Sequence, residues 1–447
     1  MAEPIHILGG GLAGAEAAWQ AASLGLRVIL HEMRPAVRTS AHQTASLAEL
    51  VCSNSLKSEQ EHSAPWLLKQ ELRRLGSLLI EIAGRTRVPA GQALTVDREV
   101  FSAEVSRTLE ASPLIEIRRE EVREIPGRGI VLIATGPLTS DALAADIARL
   151  TGAARLFFYD AISPIVEAES VDLSVAFRAS RYGKSIDGGD DYLNCPFERE
   201  QYDRFAEALL AAESHQPCIP EDRARYFEAC LPIEVLVRRG RDTLRFGPMK
   251  PVGLTDPRTG RRPWAVVQLR QEDLRASSFN LVGFQNSLRF GEQERVLRLI
   301  PGLEKAEFVR FGQIHRNTYI NGPALLRPSL QLKGDPRIFF AGQIAGVDGY
   351  VESIATGLAA ARHAAALERG EEIRPLPRET ALGSLCHYVS GASPVDYQPA
   401  NITFDLLPQL DEETRARLRH DKRARHAEVC RRAQAALEEF LSRHAGA

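Results

Sequence analysis

The chain has 447 residues, of which 44% are hydrophobic and 26% are charged. These are ordinary values for a globular protein, so intrinsic disorder, collagen and coiled coil are excluded. At roughly 100–200 residues per domain, the length predicts two or three domains. Lys and Arg total 56 against 58 for Asp and Glu, and the net charge of -2 excludes nucleic-acid binding through overall charge, although not through a local basic patch.

The six cysteines include no Cys-x-x-Cys pair, and no histidine cluster lies beside them at the spacing of zinc ligands. We therefore expect neither a metal site nor a disulfide framework, because scattered thiols in a long chain indicate a reduced, cytoplasmic protein. The N-terminus lacks a basic segment before an apolar core, and no apolar run approaches the roughly 20 residues of a membrane span. The sequence thus predicts neither a signal peptide nor a membrane association.

The first thirty-five residues predict a strand, a glycine loop, a helix and a second strand. An apolar strand at residues 5–8 runs into Gly9, Gly11 and Gly14 in a GxGxxG pattern, and the second strand ends at Glu32. In this setting Gly9 makes the tight turn and Gly11 lets a pyrophosphate approach the backbone, while Gly14 lets the helix pack on the strand. The helix N-terminus is expected to hold the phosphates, and Glu32 to take the ribose hydroxyls.

A glycine loop of this kind binds FAD, NAD or S-adenosylmethionine, or is a turn without a ligand. Two distant segments distinguish these alternatives. Residues 129–137 predict a buried strand ending in Ala-Thr-Gly, and residues 337–343 predict one ending in Ala-Gly-Gln before a helix at 351–368. The second arrangement resembles the later flavin segment of two-dinucleotide-type FAD proteins, so the three segments together favour FAD. The residues expected to bind it are Gly9, Gly10, Gly11, Leu12, Ala13, Gly14, Glu32, Arg34, Thr135, Gly136, Gly342, Gln343, Gly349 and Tyr350.

These segments predict an α/β protein with a discontinuous, Rossmann-like two-dinucleotide-type FAD-binding domain at residues 1–165 and 308–370. An inserted α+β domain at 166–307 is expected to face the substrate. A helical C-terminal segment follows at 371–447, with one charged helix from about residue 411 to 443.

Two basic stretches stand out from the neutral background. The stretch from Arg238 to Arg262 contains glycine and proline turns, which predict a loop-borne patch able to contact phosphate. The stretch from Arg415 to Arg432 is interpreted as a solvated helix face. The candidate residues for phosphate contact are Arg238, Arg239, Arg241, Lys250, Arg258, Arg261 and Arg262.

Seven further segments resemble the motifs of one enzyme family. They are residues 49–58, 87–98, 192–196, 227–234, 246–254, 267–273 and 315–319. Because they lie in the family's order across nearly the whole chain, the sequence resembles the folate- and FAD-dependent tRNA (uracil-5-)-methyltransferases. A related family of larger flavoproteins, which install carboxymethylaminomethyl groups on wobble uridines, is the alternative. It has an extra C-terminal helical domain for which we expect no room in 447 residues.

The resemblance implies a reaction in which methylenetetrahydrofolate and NAD(P)H-reduced FAD convert the T-loop uridine of tRNA to 5-methyluridine. The chemistry is consistent, because uracil C5 is a poor nucleophile until a group such as a thiolate adds at C6. A methylene unit must also gain two electrons to become a methyl group, which a flavin supplies. The implied partner is tRNA, reached by unstacking the target base. DNA is not an expected partner, and the oligomeric state is left open.

The resemblance also implies site residues. The family's catalytic cysteines fall on Cys52 and Cys230, each of which would otherwise be interpreted as a small buried hydrophobe. The folate candidates are His315, Arg316 and Asn317, because a flat ring can stack on a pterin and an amide can bond its edge. A packed or solvent-exposed histidine is an equally open interpretation of His315.

For three residues the ligand stays open, and for the whole protein other classes of function stay open. Lys57, Lys250 and Arg270 are expected to meet either a folate glutamate tail or a tRNA phosphate. A flavin oxidoreductase acting on a small metabolite, and a flavoprotein that only binds tRNA, remain as other classes of function. The length and the two cysteine motifs favour the methyltransferase.

Overall fold

The computed structural model describes residues 3–39, 41–152, 156–215, 231–395 and 397–444. The strands are β1 Ile5–Leu8, β2 Val28–His31, β3 Ser55–Ser58, β4 Arg87–Val88, β5 Ala93–Val96, β6 Ile115–Arg118, β7 Val131–Ile133, β8 Leu156–Ala161, β9 Ile165–Glu167, β10 Phe177–Arg178, β11 Tyr192–Phe197, β12 Ala265–Gln271, β13 Ser278–Leu281, β14 Phe308–Arg310, β15 Ile314–Tyr319 and β16 Ile338–Phe340. The helices are α1 Leu12–Ser23, α2 Ala64–Arg74, α3 Leu78–Arg85, α4 Arg98–Glu110, α5 Asp141–Thr151, α6 Arg199–Ala211, α7 Ile233–Arg239, α8 Thr243–Phe246, α9 Phe290–Leu297, α10 Gly322–Leu325, α11 Tyr350–Glu368, α12 Ala381–Gly391, α13 Glu412–Arg417 and α14 Lys422–His444.

A parallel five-stranded sheet in the order β16-β7-β1-β2-β6 forms the first layer. Its strands other than the edge strand β6 are short, mainly apolar runs buried on both faces, as is usual in parallel sheets. A side chain at Gly14 would strike the carbonyl oxygen of Gly9, and one at Gly357 would strike Ala13, so glycine lets α1 pack closely against both the loop and α11. This layer confirms the predicted Rossmann-like α/β architecture.

A six-stranded sheet in the order β10-β11-β12-β13-β9-β14 forms a second layer, and its pairs are antiparallel. Strand β12 alternates: Val267 and Leu269 enter a second hydrophobic core beneath α6 and α7, whereas Gln268 and Arg270 lie on the opposite face. The sheet includes β9 and β14, which lie at the predicted boundaries near residues 165 and 308. The division into domains itself stays a prediction.

The C-terminal segment differs from the single helix predicted at about 411 to 443. It forms α13 and α14 with a turn between them, because Asp411 caps the first helix through the Thr414 N–H and Asp421 bonds the N–H of Ala424 at the start of the second. Helix α14 joins the first hydrophobic core through side chains that include Leu437. In the described part of the chain, no helix combines the length and apolarity that crossing a bilayer requires.

Candidate active site

A cleft of about 1010 Å³ opens at the carboxyl ends of the parallel strands, where α/β sheets bind their ligands. Every predicted FAD residue except Gly14 and Gly349 lines it. Gly14 lies beneath the glycine loop, and Gly349 lies against the pair of Lys57 and Glu352.

The glycine loop presents open backbone to this cleft. Gly9 has φ +102°, a conformation that favours glycine, and Gly11 is the N-cap of α1. A Cβ atom built on Gly11 would meet no other atom within 4 Å. A pyrophosphate can therefore approach the N–H groups at the start of α1, where the helix dipole favours an anion. The geometry of this loop fits FAD.

Glu32 and Arg34 form a buried ion pair at the edge of the cleft. The Nε atom of Arg34 lies 2.9 Å from a Glu32 carboxylate oxygen, and its Nη1 lies 2.9 Å from Glu49. The Gly10 N–H also donates to Glu32, at 3.0 Å. Burial raises the pKa of Glu32, but the hydrogen bonds and charge of Arg34 outweigh it, so the net pKa is lowered and the carboxylate is ionised. Arg34 thus orients Glu32, and the ribose contact stays a prediction.

The cleft contains residues that the sequence patterns did not indicate, among them His42 and Glu49. The hydroxyl group of Thr39 lies 2.6 Å from Nδ1 of His42. Burial, reinforced by the positive charge of Arg34, lowers the pKa of His42 to about 4, so the imidazole is neutral near pH 7. These residues follow β2 along the chain. The distance of His42 beyond Glu32 is fixed by no motif, so only its position after a parallel strand could have indicated it, whereas Glu49 begins the family-like segment at 49–58.

Cys52 lies beside the cleft and is tied to the helix that borders it. Its N–H donates to the hydroxyl oxygen of Tyr350 at 2.7 Å, and the N–H of Ser53 donates to the same oxygen at 3.1 Å. The thiol donates a long hydrogen bond, 3.8 Å, to the carbonyl oxygen of Ala161. Tyr350 begins α11 and lines the cleft. The predicted catalytic thiol is therefore held next to the predicted FAD site.

Three arginines hold the segment around Cys52 by its polar atoms. Arg98 donates to the carbonyl oxygen of Leu50 at 2.9 Å, and Arg310 donates to that of Val51 at 3.0 Å. Arg270 donates to the hydroxyl of Ser53 at 2.9 Å. All three side chains are largely buried, so their charges favour an anion nearby. Arg98 and Arg310 were not predicted, and Arg270 contacts the Cys52 loop.

The Cys52 loop lies where the six-stranded sheet meets a small three-stranded sheet, β3-β5-β4. The amide of Asn54 donates to the carbonyl oxygen of Val96 at 3.1 Å and, across the interface, to that of Gln271 at 2.9 Å. An ion pair of 2.6 Å between Arg98 and Glu272 crosses the same interface. Residues next to Cys52 thereby join the six-stranded sheet to this small sheet and to the start of α4.

The second predicted thiol, Cys230, lies outside the described residues, which resume at Leu231. The side chains of His315 and Arg316 also lie outside them, whereas Asn317 is buried on β15. Strand β15 pairs with β8 so that residue 314 is opposite Ala161, the residue whose carbonyl oxygen meets Cys52. The backbone of the folate candidates therefore runs close to the Cys52 thiol.

Two arginines of the basic stretch are paired with acids at the surface. Arg258 forms an ion pair of 2.8 Å with Asp256, and Arg241 forms one with Glu207. The other candidates of this stretch are exposed as well, namely Arg238, Arg239, Lys250, Arg261 and Arg262. Of the other candidates, Lys57 is bound to Glu352 at 2.6 Å and to Asn401, so it is part of the structure around Gly349.

Comparison with known proteins agrees with this geometry. The family model "Glucose inhibited division protein A" matches residues 4–372. The solved structure of Aquifex aeolicus GidA superposes with a TM-score of 0.68, covering 98% of this chain and 76% of that one. At 18% sequence identity, this likeness shows the shared fold alone.

Closer relatives share the full length of the chain. The methylenetetrahydrofolate–tRNA-(uracil-5-)-methyltransferase TrmFO of Solibacter usitatus is 69% identical over 445 residues, covering 100% of both chains. The protein of the same name from Koribacter versatilis is 61% identical, covering 98% of this chain and 97% of that one. With this identity over the whole length, and with a flavin-type cleft beside a held cysteine, the chain belongs to the methylenetetrahydrofolate–tRNA-(uracil-5-)-methyltransferase family.

Proposed function

We propose that the protein methylates C5 of the T-loop uridine of tRNA, with methylenetetrahydrofolate as carbon donor and FAD reduced by NAD(P)H as electron carrier. The observation that carries the proposal is the position of Cys52, which Tyr350 and buried arginines hold beside the cleft. Bound FAD supplies the two electrons that convert a methylene unit to a methyl group. The cytoplasm is the compartment in which we expect the reaction.

The two thiols activate the base in this proposal. Cys230 is the thiol that adds to uracil C6, which makes C5 nucleophilic, and Cys52 assists removal of the C5 proton and release of the base. Arg270 and Arg310 place buried positive charge around residues 51–53, whereas Arg98 is already paired with Glu272. Cys230 precedes α7 in the second layer, so the reaction needs the two layers to be held together.

The remaining substrates have proposed sites on either side of these thiols. His315, Arg316 and Asn317 are proposed to bind the pterin, and the pairing of residue 314 with Ala161 supports this by placing their strand beside Cys52. The exposed residues of the basic stretch are proposed to contact tRNA phosphates. Arg241 and Arg258 contribute less, because each is already paired with a carboxylate.

The deciding experiment incubates the protein with undermodified tRNA, methylenetetrahydrofolate and NADPH, followed by nucleoside analysis by mass spectrometry. We expect 5-methyluridine in the T loop, and none when the folate or the reductant is omitted. A tRNA with cytidine at the T-loop position serves as the matched control and should stay unmodified. Modification at the wobble position, or turnover that needs no tRNA, would instead support one of the other flavoprotein functions.

A further inference from the structure

Tyr182 is an exposed aromatic residue in a strained backbone conformation. It has φ +56° and ψ 22°, in the left-handed region that bulky side chains rarely adopt, and 64% of it is exposed. Its N–H donates to the carbonyl oxygen of Gly253 at 2.8 Å, which holds the residue in this conformation. Strain of this kind persists only where the surroundings enforce it, and it concentrates at functional sites.

Gly253 supports the Tyr182 ring from one side. A Cβ atom on Gly253 would lie 2.8–2.9 Å from three ring atoms, so a larger residue there would push the ring away. The contact also places Tyr182 beside the basic stretch, because Lys250 is three residues before Gly253. The ring is thus a fixed apolar surface with most of its area open to solvent.

The charges around this ring suit a polyanion. The Lys184 ammonium lies 5.9 Å from the ring centroid, and Lys250 is exposed nearby. Within the described ranges of the chain, neither lysine has a carboxylate at ion-pair distance. The same loop also carries three acids: Asp187 pairs with Arg87, Asp191 accepts the N–H of Gly91 at 2.6 Å, and the exposed Asp190 accepts the N–H of Ser180 at 3.4 Å.

The loop of Tyr182 is connected to the Cys52 site through β12. Arg181 donates to Gln268 at 2.8 Å, and Arg270 donates to Ser53 at 2.9 Å. Gln268 and Arg270 are two residues apart and share one face of β12, so they are about 7 Å apart along the strand. The ring and the Cys52 loop are therefore linked by a chain of polar side chains, of which Gln268 and Arg270 are buried.

We propose that Tyr182 is a stacking platform for an unpaired base of the tRNA substrate, with Lys184 and Lys250 on adjacent phosphates. The inference rests on the proposed function and deepens it. Aromatic rings stack on bases regardless of their identity, and flanking cations bind the backbone, which is the usual chemistry of single-stranded nucleic-acid sites. A pterin needs an enclosed pocket instead, because small-ligand sites bury about 70–90% of the ligand surface.

The test measures binding of a T-arm stem–loop RNA to the FAD-containing protein. Tyr182→Ala and Tyr182→Leu should each weaken binding by about 5- to 100-fold, the range of one lost base–aromatic stack, and Tyr182→Trp should preserve it. The dependence of affinity on salt should keep its slope, because the ring carries no charge. Val395→Ala, at a residue that is 83% exposed, is the matched control and should bind like the parent protein.

A second measurement follows the new fluorophore in Tyr182→Trp. The stem–loop should quench its emission, whereas a fully paired duplex of the same stem should not, because its bases are already stacked. Unchanged RNA binding in both Tyr182→Ala and Tyr182→Leu would overturn the platform, as would a loss confined to the folate KM, which would indicate a pterin. If the parent protein binds no T-arm RNA at all, the proposed function itself fails.

Discussion

The hydroxyl oxygen of Tyr350 accepts the backbone N–H groups of Cys52 and Ser53, residues almost 300 positions earlier in the chain. Burial, with a contribution from the neighbouring Cys52, raises the pKa of Tyr350 above its ordinary value, so the phenol stays protonated near neutral pH. Tyr350, which begins α11 beside the cofactor cleft, thereby also fixes the position of the Cys52 loop. The side chain that borders the predicted FAD cleft therefore also anchors the Cys52 loop.

Tyr350→Phe is expected to separate these two roles. The substitution keeps the ring at the cleft but leaves two N–H groups without an acceptor, at a cost of about 1–3 kcal/mol for each one that stays buried. Methyl transfer should fall by about 10- to 100-fold while the FAD content stays near that of the parent. Tyr388→Phe is the control, because its hydroxyl bonds only the Gln398 carbonyl at an exposed site, and it should retain activity. Undiminished turnover in Tyr350→Phe would contradict this role.

Gly11→Val and Gly14→Val should fail for different reasons. A side chain on Gly11 enters open cleft, so the protein should fold but lose FAD on gel filtration. A side chain on Gly14 meets the Gly9 backbone, so that variant should lose thermal stability as well. Absorbance of the flavin and the melting temperature measure the two effects. Equal FAD content in Gly11→Val and the parent would remove the glycine loop from the cofactor site.

The thiols provide a test of mechanism. Cys52→Ala and Cys230→Ala should keep FAD and tRNA binding but lose methyl transfer by at least about a hundredfold, the scale of a lost acid–base or nucleophilic group. Burial raises the pKa of Cys386 to about 12, which makes it an unreactive thiol, and Cys386→Ala is the control that should stay active.

A tRNA containing 5-fluorouridine should trap the attacking cysteine, because fluorine at C5 cannot leave as a proton does. Peptide mapping of the adduct identifies the residue, which we expect to be Cys230. An adduct on Cys52 would exchange the roles of the two thiols. Full activity in both alanine variants without any adduct would exclude covalent catalysis by these residues.

The salt dependence of tRNA binding tests the basic stretch. Replacing Lys250, Arg261 and Arg262 together by Ala should flatten the slope of log affinity against log salt by about 2 to 3, close to one unit per lost phosphate contact. Arg258 is left in place because it is paired with Asp256. The control of equal charge replaces Arg417, Lys422 and Arg423 on the C-terminal helices, and its slope should match the parent. The reverse result would move the tRNA site to those helices.

Glu71 predicts a pH dependence of stability. It is buried, and it accepts the N–H groups of Ala381 and Leu382 at 2.7 and 2.9 Å. Burial raises its pKa from 4.5 to about 8, although these two bonds oppose the rise. Between these values the folded protein retains a proton that the unfolded chain has released, so the stability of the folded state falls as pH rises.

Glu71→Gln should remove this dependence. Relative to the parent, its free energy of unfolding should improve by roughly 3 kcal/mol between pH 5.5 and 8. Urea unfolding at the two pH values measures the difference. Glu413→Gln, at an exposed site, should show no such change. An identical pH trend in Glu71→Gln and the parent would show that Glu71 is ionised in the folded state throughout.

The glycine loop of the cofactor cleft could be predicted because its sequence signals are local. The spacing of Gly9, Gly11 and Gly14 needs only a strand and a helix on either side to determine the loop. The arginines around Cys52 have no such spacing, because Arg98 and Arg310 reach the backbone of residues 50–51 from distant elements. Only the folded chain shows that these contacts exist.

Two other features that differ from the predictions have local signals in the sequence. The break between α13 and α14 follows from Asp421, a residue type that favours helix starts. The pairing of Arg258 with Asp256 is a local contact across two residues of a turn. A basic stretch therefore overstates the charge available to a partner unless the acids within each turn are subtracted first.

The alternation of side chains along β12 couples the packing of the second core to the position of Arg270 at the Cys52 loop. Val267 and Leu269 complete the second core on one face, while Arg270 reaches the thiol loop from the other. A one-residue slip of this strand would exchange the faces, placing Arg270 in the aliphatic core and removing its contact with Ser53. A chain with β12 out of register would lose both the packing of the second core and the hydrogen bond from Arg270 to Ser53. A chain that folds with β12 in register therefore already has Arg270 in place at the Cys52 loop before any substrate binds.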